Sequence, residues 1–535
     1  MFSEIFDTDS KIPYKHMSQN MFYRVIQQAS IFLALSFLTL GISYADKGHD
    51  DEEILLQLAP GVDIRTIENA YNVDTEERNV VPGIVPPIYK VKVHDKDDLE
   101  STVQKMEKDN RILKVEFNFL GETPEGVRRT LAVIDKTPTN SEYVDQKAYQ
   151  RVRGQQSHSL SRGQGVIVAI LDTGVDYDHP KLADHILMDD NEVVGYDFVD
   201  DDEDPMDQGN GLDDDNDSQI DEGAGHGTHV AGIIALLAPE AKIMPLRVLN
   251  SEGVGTIDLV VKALNFVQEF ADDNSGKGDG PYIPIVVNLS LGLPEQSFTL
   301  LAALRGVLND GIPVIASAGN NNSSVRHYPA AGDIGNLDVI AVSATDANDK
   351  KATFSNFGNW INLSAPGVGI YSTFLNSRFA NWNGTSMAAP FVSAETALIM
   401  SRLSARNPGR DLELNQILRP LKAGTDYIYG INGRYKNQLG SGRINMESSL
   451  RIATGADILS VKTAVYKRAS KSLIVELSST SAPQAILIIQ GLGKMKYDKV
   501  KRIYAFQKSG VNPAPSVITI TSSKGGLTSP RVAIQ

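Results

Sequence analysis

The 535-residue chain contains no cysteine. That absence excludes disulfides, thiolate metal sites and a cysteine nucleophile together, while leaving the redox compartment open. Positive charge is also short: 51 Lys and Arg against 66 Asp and Glu give a formal net charge of −15. Nucleic acid and anionic lipid present phosphates that such a surface repels, so neither is an expected partner. Long apolar runs are scarce. Ser30 to Leu40 reads SIFLALSFLTL, too short for the ~20 residues that cross a bilayer. Lys15 and Arg24 precede it and Ser43-Tyr44-Ala45 follow, which reads as an export signal rather than a membrane anchor.

What is present is ordinary globular material, 41% apolar and 22% charged. The length exceeds what one core serves, so several domains are expected. Residues 1–45 form the leader with an N-terminal extension. Residues 46–122 alternate strand and helix: ILLQL, a helix over Asp63 to Tyr71, IYKVKV, a helix with Leu99, Val103 and Met106, then ILKVEFNFL. This is a small α+β unit. Residues 123–140 are polar and turn-rich and read as a linker, with a processing cut between Gly121 and Asn140. Over 141–456, continuous apolar runs (VIVAILD, KIMPLRVL, PIVVNLSLG, IPVIASAG, LDVIAVSA) alternate with helical stretches, which predicts an α/β domain with a mainly parallel sheet covered on both faces. Functional residues then belong at the carboxyl ends of its strands. Residues 457–535 carry short alternating runs and form a β-rich, locally basic C-terminal domain.

Three motifs carry chemistry. VAILDTGVD places Asp172 at the end of an apolar strand, where a buried carboxylate can hold an imidazole in one tautomer. GHGTHVAG places His226 at the start of an amphipathic helix, behind glycines that let substrate approach. NGTSMAAP places Ser386 at the start of another helix, with Pro390 tolerated in its first turn. A serine hydroxyl is a weak nucleophile unless a base sits beside it and a third group orients that base.

These motifs, in the order Asp, His, Ser, resemble the subtilase family from Gly165 to about Gly455. The resemblance implies a subtilisin-like three-layer domain and a serine endopeptidase acting through an acyl-enzyme. It makes Ser386 the nucleophile, His226 the base and Asp172 its orienting group, with His229 structural. In IASAGNN, Asn320 matches the family's oxyanion asparagine, which works with the Ser386 backbone N–H. Ser290-Leu291-Gly292 and Gly253-Val254-Gly255 match the two edges that bind an extended peptide. The α+β unit resembles the family's inhibitory prosegment.

The chain also departs from the family. The calcium loop that interrupts the helix after the catalytic histidine is missing, and Lys181 stands after His179-Pro180 where a carboxylate would be wanted. An acidic insertion from Asp197 to Glu222 contains no Lys or Arg. Within it Asp213, Asp215 and Asp217 have the alternate spacing of loops that hold hard cations, with Asp221 nearby. Ser218 and Ala224 stand where such a loop wants glycine and glutamate, so calcium binding and simple solvation both remain open. His327 precedes Tyr328-Pro329, where the family keeps a small residue lining the first specificity pocket; a narrowed or polar pocket follows. Phe391 and Glu395 are unusual for the family as well.

The expectation is thus a secreted, self-processing, monomeric protease. Its partners are polypeptide substrates and its own prosegment, and it has no organic cofactor and no transmembrane segment after signal removal. The rival is a silent or permanently inhibited subtilase scaffold that acts as a binding protein.

Overall fold

The computed structural model describes residues 49–94, 98–126, 132–135, 140–214, 218–273, 283–334, 337–407 and 410–535. The expected leader, including Ser30 to Leu40, lies outside them.

The N-terminal unit contains strands β1 (His49–Leu58), β2 (Val73–Arg78), β3 (Ile88–Val93) and β4 (Ile112–Glu122), paired antiparallel in the order β4-β1-β3-β2. Helices α1 (Ile64–Tyr71) and α2 (Leu99–Met106) cover one face. Asp63 caps α1, its side chain accepting the Arg65 N–H. Strand β1 explains why ILLQL lacks alternation. Ile54, Leu56 and Leu58 face the unit's own helices, whereas Leu55 packs into the core of the next domain. Strand β2 was not expected, because VDTEER has a single fully buried residue, Val73, and otherwise charged or polar side chains at the sheet edge.

The larger domain is built on a seven-stranded sheet in which every pairing is parallel. Its strands are β5 (Ile167–Asp172), β6 (Lys242–Arg247), β8 (Ile285–Leu289), β9 (Val314–Ser317), β10 (Ile340–Thr345), β11 (Leu363–Pro366) and the short pair Tyr196–Asp197. Between β6 and β8 lie the short strand β7 (Val254–Thr256), outside this sheet, and helix α4 (Ile257–Asp273). Helices α3 (His226–Leu237) and α6 (Thr385–Ser404) pack on one face of the sheet, and α4 and α5 (Phe298–Asn309) on the other. From β5 the chain reaches β6 on one side and β8 on the other, so order reverses at β5, whose carboxyl end carries Asp172.

Two local expectations are corrected. Helix α3 is not amphipathic, since every residue but Leu236 is buried, as suits a helix enclosed on all sides. Pro390 is not in the first turn of α6, which begins at Thr385. Its missing N–H frees the Ser386 carbonyl, and Ser290 Oγ donates to that oxygen at 3.0 Å instead.

The N-terminal unit docks by capping. Glu116 accepts from Ser297 Oγ and from the N–H groups of Phe298 and Thr299 at 2.8 to 3.1 Å, satisfying the start of α5. Asn118 and Lys90 hold Asp258 in the first turn of α4. Residues 457–535 form five- and four-stranded sheets around Leu473, Val475, Leu487 and Ile520. Arg531 anchors them to Asp349 of the larger domain, which also receives the buried Arg443.

Candidate active site

Strand β5 carries Asp172 to the floor of the cleft, fully buried. Its Oδ1 lies 2.7 Å from His226 Nδ1 and also accepts the Thr173 N–H. His226 is the first residue of α3, entered through Gly225 at φ +90. The glycines here serve packing within the chain rather than substrate approach. A Cβ on Gly225 would overlap the Phe374 ring, and one on Gly223 the Gly253 backbone. Trp382 stands edge-on to the His226 ring at 5.3 Å and fixes its plane. His229, one turn on, is buried with Nε2 against the carbonyls of Ile370 and Ala380; burial pushes its pKa down to about 3, so it stays neutral.

Ser386 enters the same pocket at the start of α6. Asn320, following β9, directs its side-chain N–H groups inward because its Oδ1 accepts from both the N–H and the Oγ1 of Thr385, each at 3.0 Å. Thr385 Oγ1 also accepts the Gly319 N–H, so one side chain fixes the whole turn.

The peptide edges found by resemblance are in use. Strand β4 pairs antiparallel with β7, Gly255 facing Gly121 and Val254 facing Glu122. On the opposite side Glu122 exchanges both backbone hydrogen bonds with Gly292, at 2.9 and 3.1 Å, and the Thr123 N–H donates to the Gly253 carbonyl. Leu291, between Ser290 and Gly292, is buried in the core below. The stretch read as the start of a polar linker is therefore buried: Thr123, Pro124 and Glu125 fill the cleft. Further on, Val133–Asp135 pairs with the strand Arg378–Trp382 that leads to Ser386.

Glu125 is the residue that composition concealed. Its Oε2 accepts from Ser386 Oγ at 2.5 Å and lies 3.1 Å from His226 Nε2, and its Oε1 accepts from Asn320 Nδ2 at 2.8 Å. Burial opposes the charged imidazole, but Asp172 on one nitrogen and Glu125 on the other outweigh it and push His226 up to about 10. With a carboxylate at each nitrogen the ring carries both protons.

A second concealed residue is Asp207, in the acidic insertion. It is buried, and it accepts the N–H groups of Gly225 and Thr228 together with the hydroxyls of Thr173 and Thr228. It thereby caps α3 at the turn that presents His226. Eighteen residues separate it from that histidine, so no spacing rule finds it. The insertion is less self-repelling than its composition implies, because Arg247 of β6 pairs with Asp197 and Asp200.

Of the proposed cation residues, Asp213 and Asp221 lie among the described residues. Asp221 accepts the N–H groups of Asn210 and Gly211, and Asp213 accepts that of Ser218. Asp215 and Asp217 lie outside the described residues. Among the described residues no three His, Asp or Glu side chains are placed to hold a metal ion. His327 lies between Gly292 and Gly319. A Cβ on Gly292 would overlap its ring, and one on Gly319 would come within 3.2 Å of its Nδ1. Burial pushes its pKa down to about 4. Phe391, fully buried, belongs to the core beneath α6.

The subtilase family profile matches residues 163–421. The thermophilic serine proteinase of Bacillus sp. (strain AK1) is 37% identical over 281 residues, covering 50% of this chain and 60% of that relative. Thermitase of Thermoactinomyces vulgaris is 35% identical over 275 residues, 49% of this chain and 85% of the relative. Subtilisin BL of Lederbergia lenta is 34% identical over 311 residues, 56% of this chain and 97% of the relative. Sequence likeness across nearly whole protease chains, on a domain whose sheet brings Asp172, His226 and Ser386 into one pocket, places this chain in the subtilase family of serine proteases.

Proposed function

We propose that the chain is a secreted serine endopeptidase made as a self-processing proenzyme. The observation that carries this reading is the chain's own stretch from Leu120 to Thr123, bound as an extended peptide by both edges of the cleft and leading directly to the triad. A substrate polypeptide lying the same way brings a scissile carbonyl to Ser386. Ser386 Oγ bonds to that carbon while its proton passes to His226 Nε2, and Asp172 stabilises the imidazolium. The oxyanion is met by the Asn320 amide. His226 then gives its proton to the departing amine. Water repeats the sequence on the acyl-enzyme and releases the acid, returning Ser386 to its starting state.

The test is fluorophosphonate labelling of the trimmed protein beside Ser386→Ala. Labelling present in the first and lost in the second is expected; no labelling of either would favour the inert scaffold.

Residues 46–122 act in this reading as folding partner and inhibitor, removed on maturation, and the trimmed enzyme is a monomer on polypeptide substrates. Export rests on Ser30 to Leu40, and the amino terminus of the exported protein locates its removal. Among the described residues no helix is long and apolar enough to cross a membrane. The acidic insertion is proposed as a Ca²⁺ site through Asp213, Asp215, Asp217 and Asp221 on its charge density, although Asp213 and Asp221 already serve backbone amides. Calorimetric titration giving neither heat nor a thermal shift would remove that assignment.

A further inference from the structure

The stretch that leaves β4 begins like a substrate and ends unlike one. Glu122 pairs with Gly292 on an antiparallel ladder, so the next hydrogen-bonded partners are residues 124 and 290. Pro124 has no N–H to give, and the Ser290 carbonyl lies instead 3.2 Å from Ser386 Oγ. Beyond Pro124, a side-chain carboxylate occupies the reacting centre.

That carboxylate satisfies the centre completely. A serine hydroxyl has one proton, and here it goes to Glu125 Oε2, with His226 Nε2 facing the same atom. The base, held between two carboxylates, is already protonated and has no lone pair to offer. The Asn320 amide, which in turnover meets the developing negative charge, is spent on Oε1. The seat is shaped for it: Gly384 enters α6 in extended conformation, and a Cβ there would overlap Glu125 Oε1. Glu125 is 1% exposed, so water does not share these contacts. Resting on the protease reading above, we propose that the uncut chain is held latent by the Glu125 side-chain carboxylate, seated where the oxyanion of a substrate would form.

The experiment compares uncut full-length chains, verified by intact mass, carrying Glu125, Glu125→Gln or Glu125→Ala. The readouts are the rate of fluorophosphonate labelling of Ser386 and the lifetime of the uncut form. Loss of several charge-assisted hydrogen bonds predicts labelling at least about tenfold faster in the alanine variant, with glutamine between the two. Faster loss of the uncut variant by the same factor is equally expected. Equal labelling rates and lifetimes in all three chains would overturn the proposal. Where the alanine variant fails to fold, as judged by its thermal midpoint, the near-isosteric glutamine variant decides alone. Failure of the protease reading looks different: no chain would label, trimmed or uncut.

Discussion

Replacing Asp207 by asparagine tests whether the acidic insertion positions His226, the proposed base. Each carboxylate oxygen of Asp207 accepts two donors: Oδ1 from the Gly225 N–H and Thr173 Oγ1, and Oδ2 from the Thr228 N–H and Thr228 Oγ1, at 2.6 to 3.2 Å. An asparagine in either orientation turns an amide N–H toward two of these donors, so two hydrogen bonds are lost and two buried donors are stranded. At ~1–3 kcal/mol for each stranded group, partly relieved by rotation of the hydroxyls, the net cost is about 2–4 kcal/mol. The turn it holds carries His226, while the peptide edges at Gly253–Gly255 and Ser290–Gly292 are untouched. In the trimmed enzyme kcat is therefore expected to fall roughly 10- to 100-fold at pH 8 with KM little changed, together with a lower Tm. The pH dependence sharpens the test. Burial pushes Asp207 up to about 7 against the pull of the Thr228 hydroxyl and the Gly225 and Thr228 N–H groups. Above that pH the wild-type group is an all-accepting carboxylate. Below it the group carries its own proton and meets the same donor conflict as asparagine. The activity ratio of wild type to Asp207→Asn is then expected to shrink as pH falls from 8 to 6. A ratio within twofold of unity at pH 8, with an unchanged Tm, would refute the positioning argument.

Asn320→Ala removes the oriented amide and is expected to lower kcat by ~10² to 10³ with KM nearly unchanged, read from steady-state peptide hydrolysis. Glu395, fully buried in α6, is pushed up to about 8 by burial. The folded protein thus keeps a proton that the unfolded chain releases above the ordinary carboxylate range, and stability falls as pH rises from there to about 8. Glu395→Gln should flatten that slope and stabilise at pH 9 by on the order of 5 kcal/mol, measured by denaturant unfolding; parallel curves for the two proteins would contradict it. His327→Ala should open the pocket between Gly292 and Gly319. A peptide-library profile of the variant would shift toward Phe and Tyr on the acyl side, whereas a wild-type profile already dominated by them would end the argument.

What could be read from the residues divides along the range of the interactions. The apolar strands β5, β6, β8 and β9 lie within their sequence runs, and β10 passes its run by one residue, because a strand buried on both faces has to be continuously apolar. Strand β2 escaped because an edge strand buries few side chains and VDTEER advertises charge. Helix α3 reads as amphipathic in sequence because the few polar side chains in HGTHVAGIIALL imitate a solvent face, although His226, Thr228 and His229 are partnered inside the protein. That Pro390 sits beyond the first turn is legible only in the structure, where Ser290 compensates for its missing N–H.

The sequence by itself determined the chemistry: an aspartate closing an apolar strand, a histidine and a serine each opening a helix, and an asparagine after a strand. Each is set by local backbone geometry that a short motif encodes. Only the tertiary structure decided who else occupies that pocket. Glu125 reaches Ser386 across 261 positions and Asp207 caps a helix across a loop, contacts that depend on chain paths rather than on neighbours in sequence. A carboxylate in a polar stretch looks solvated until the fold buries it, and burial beside fixed donors is what turns Glu125 and Asp207 from surface charge into parts of the site.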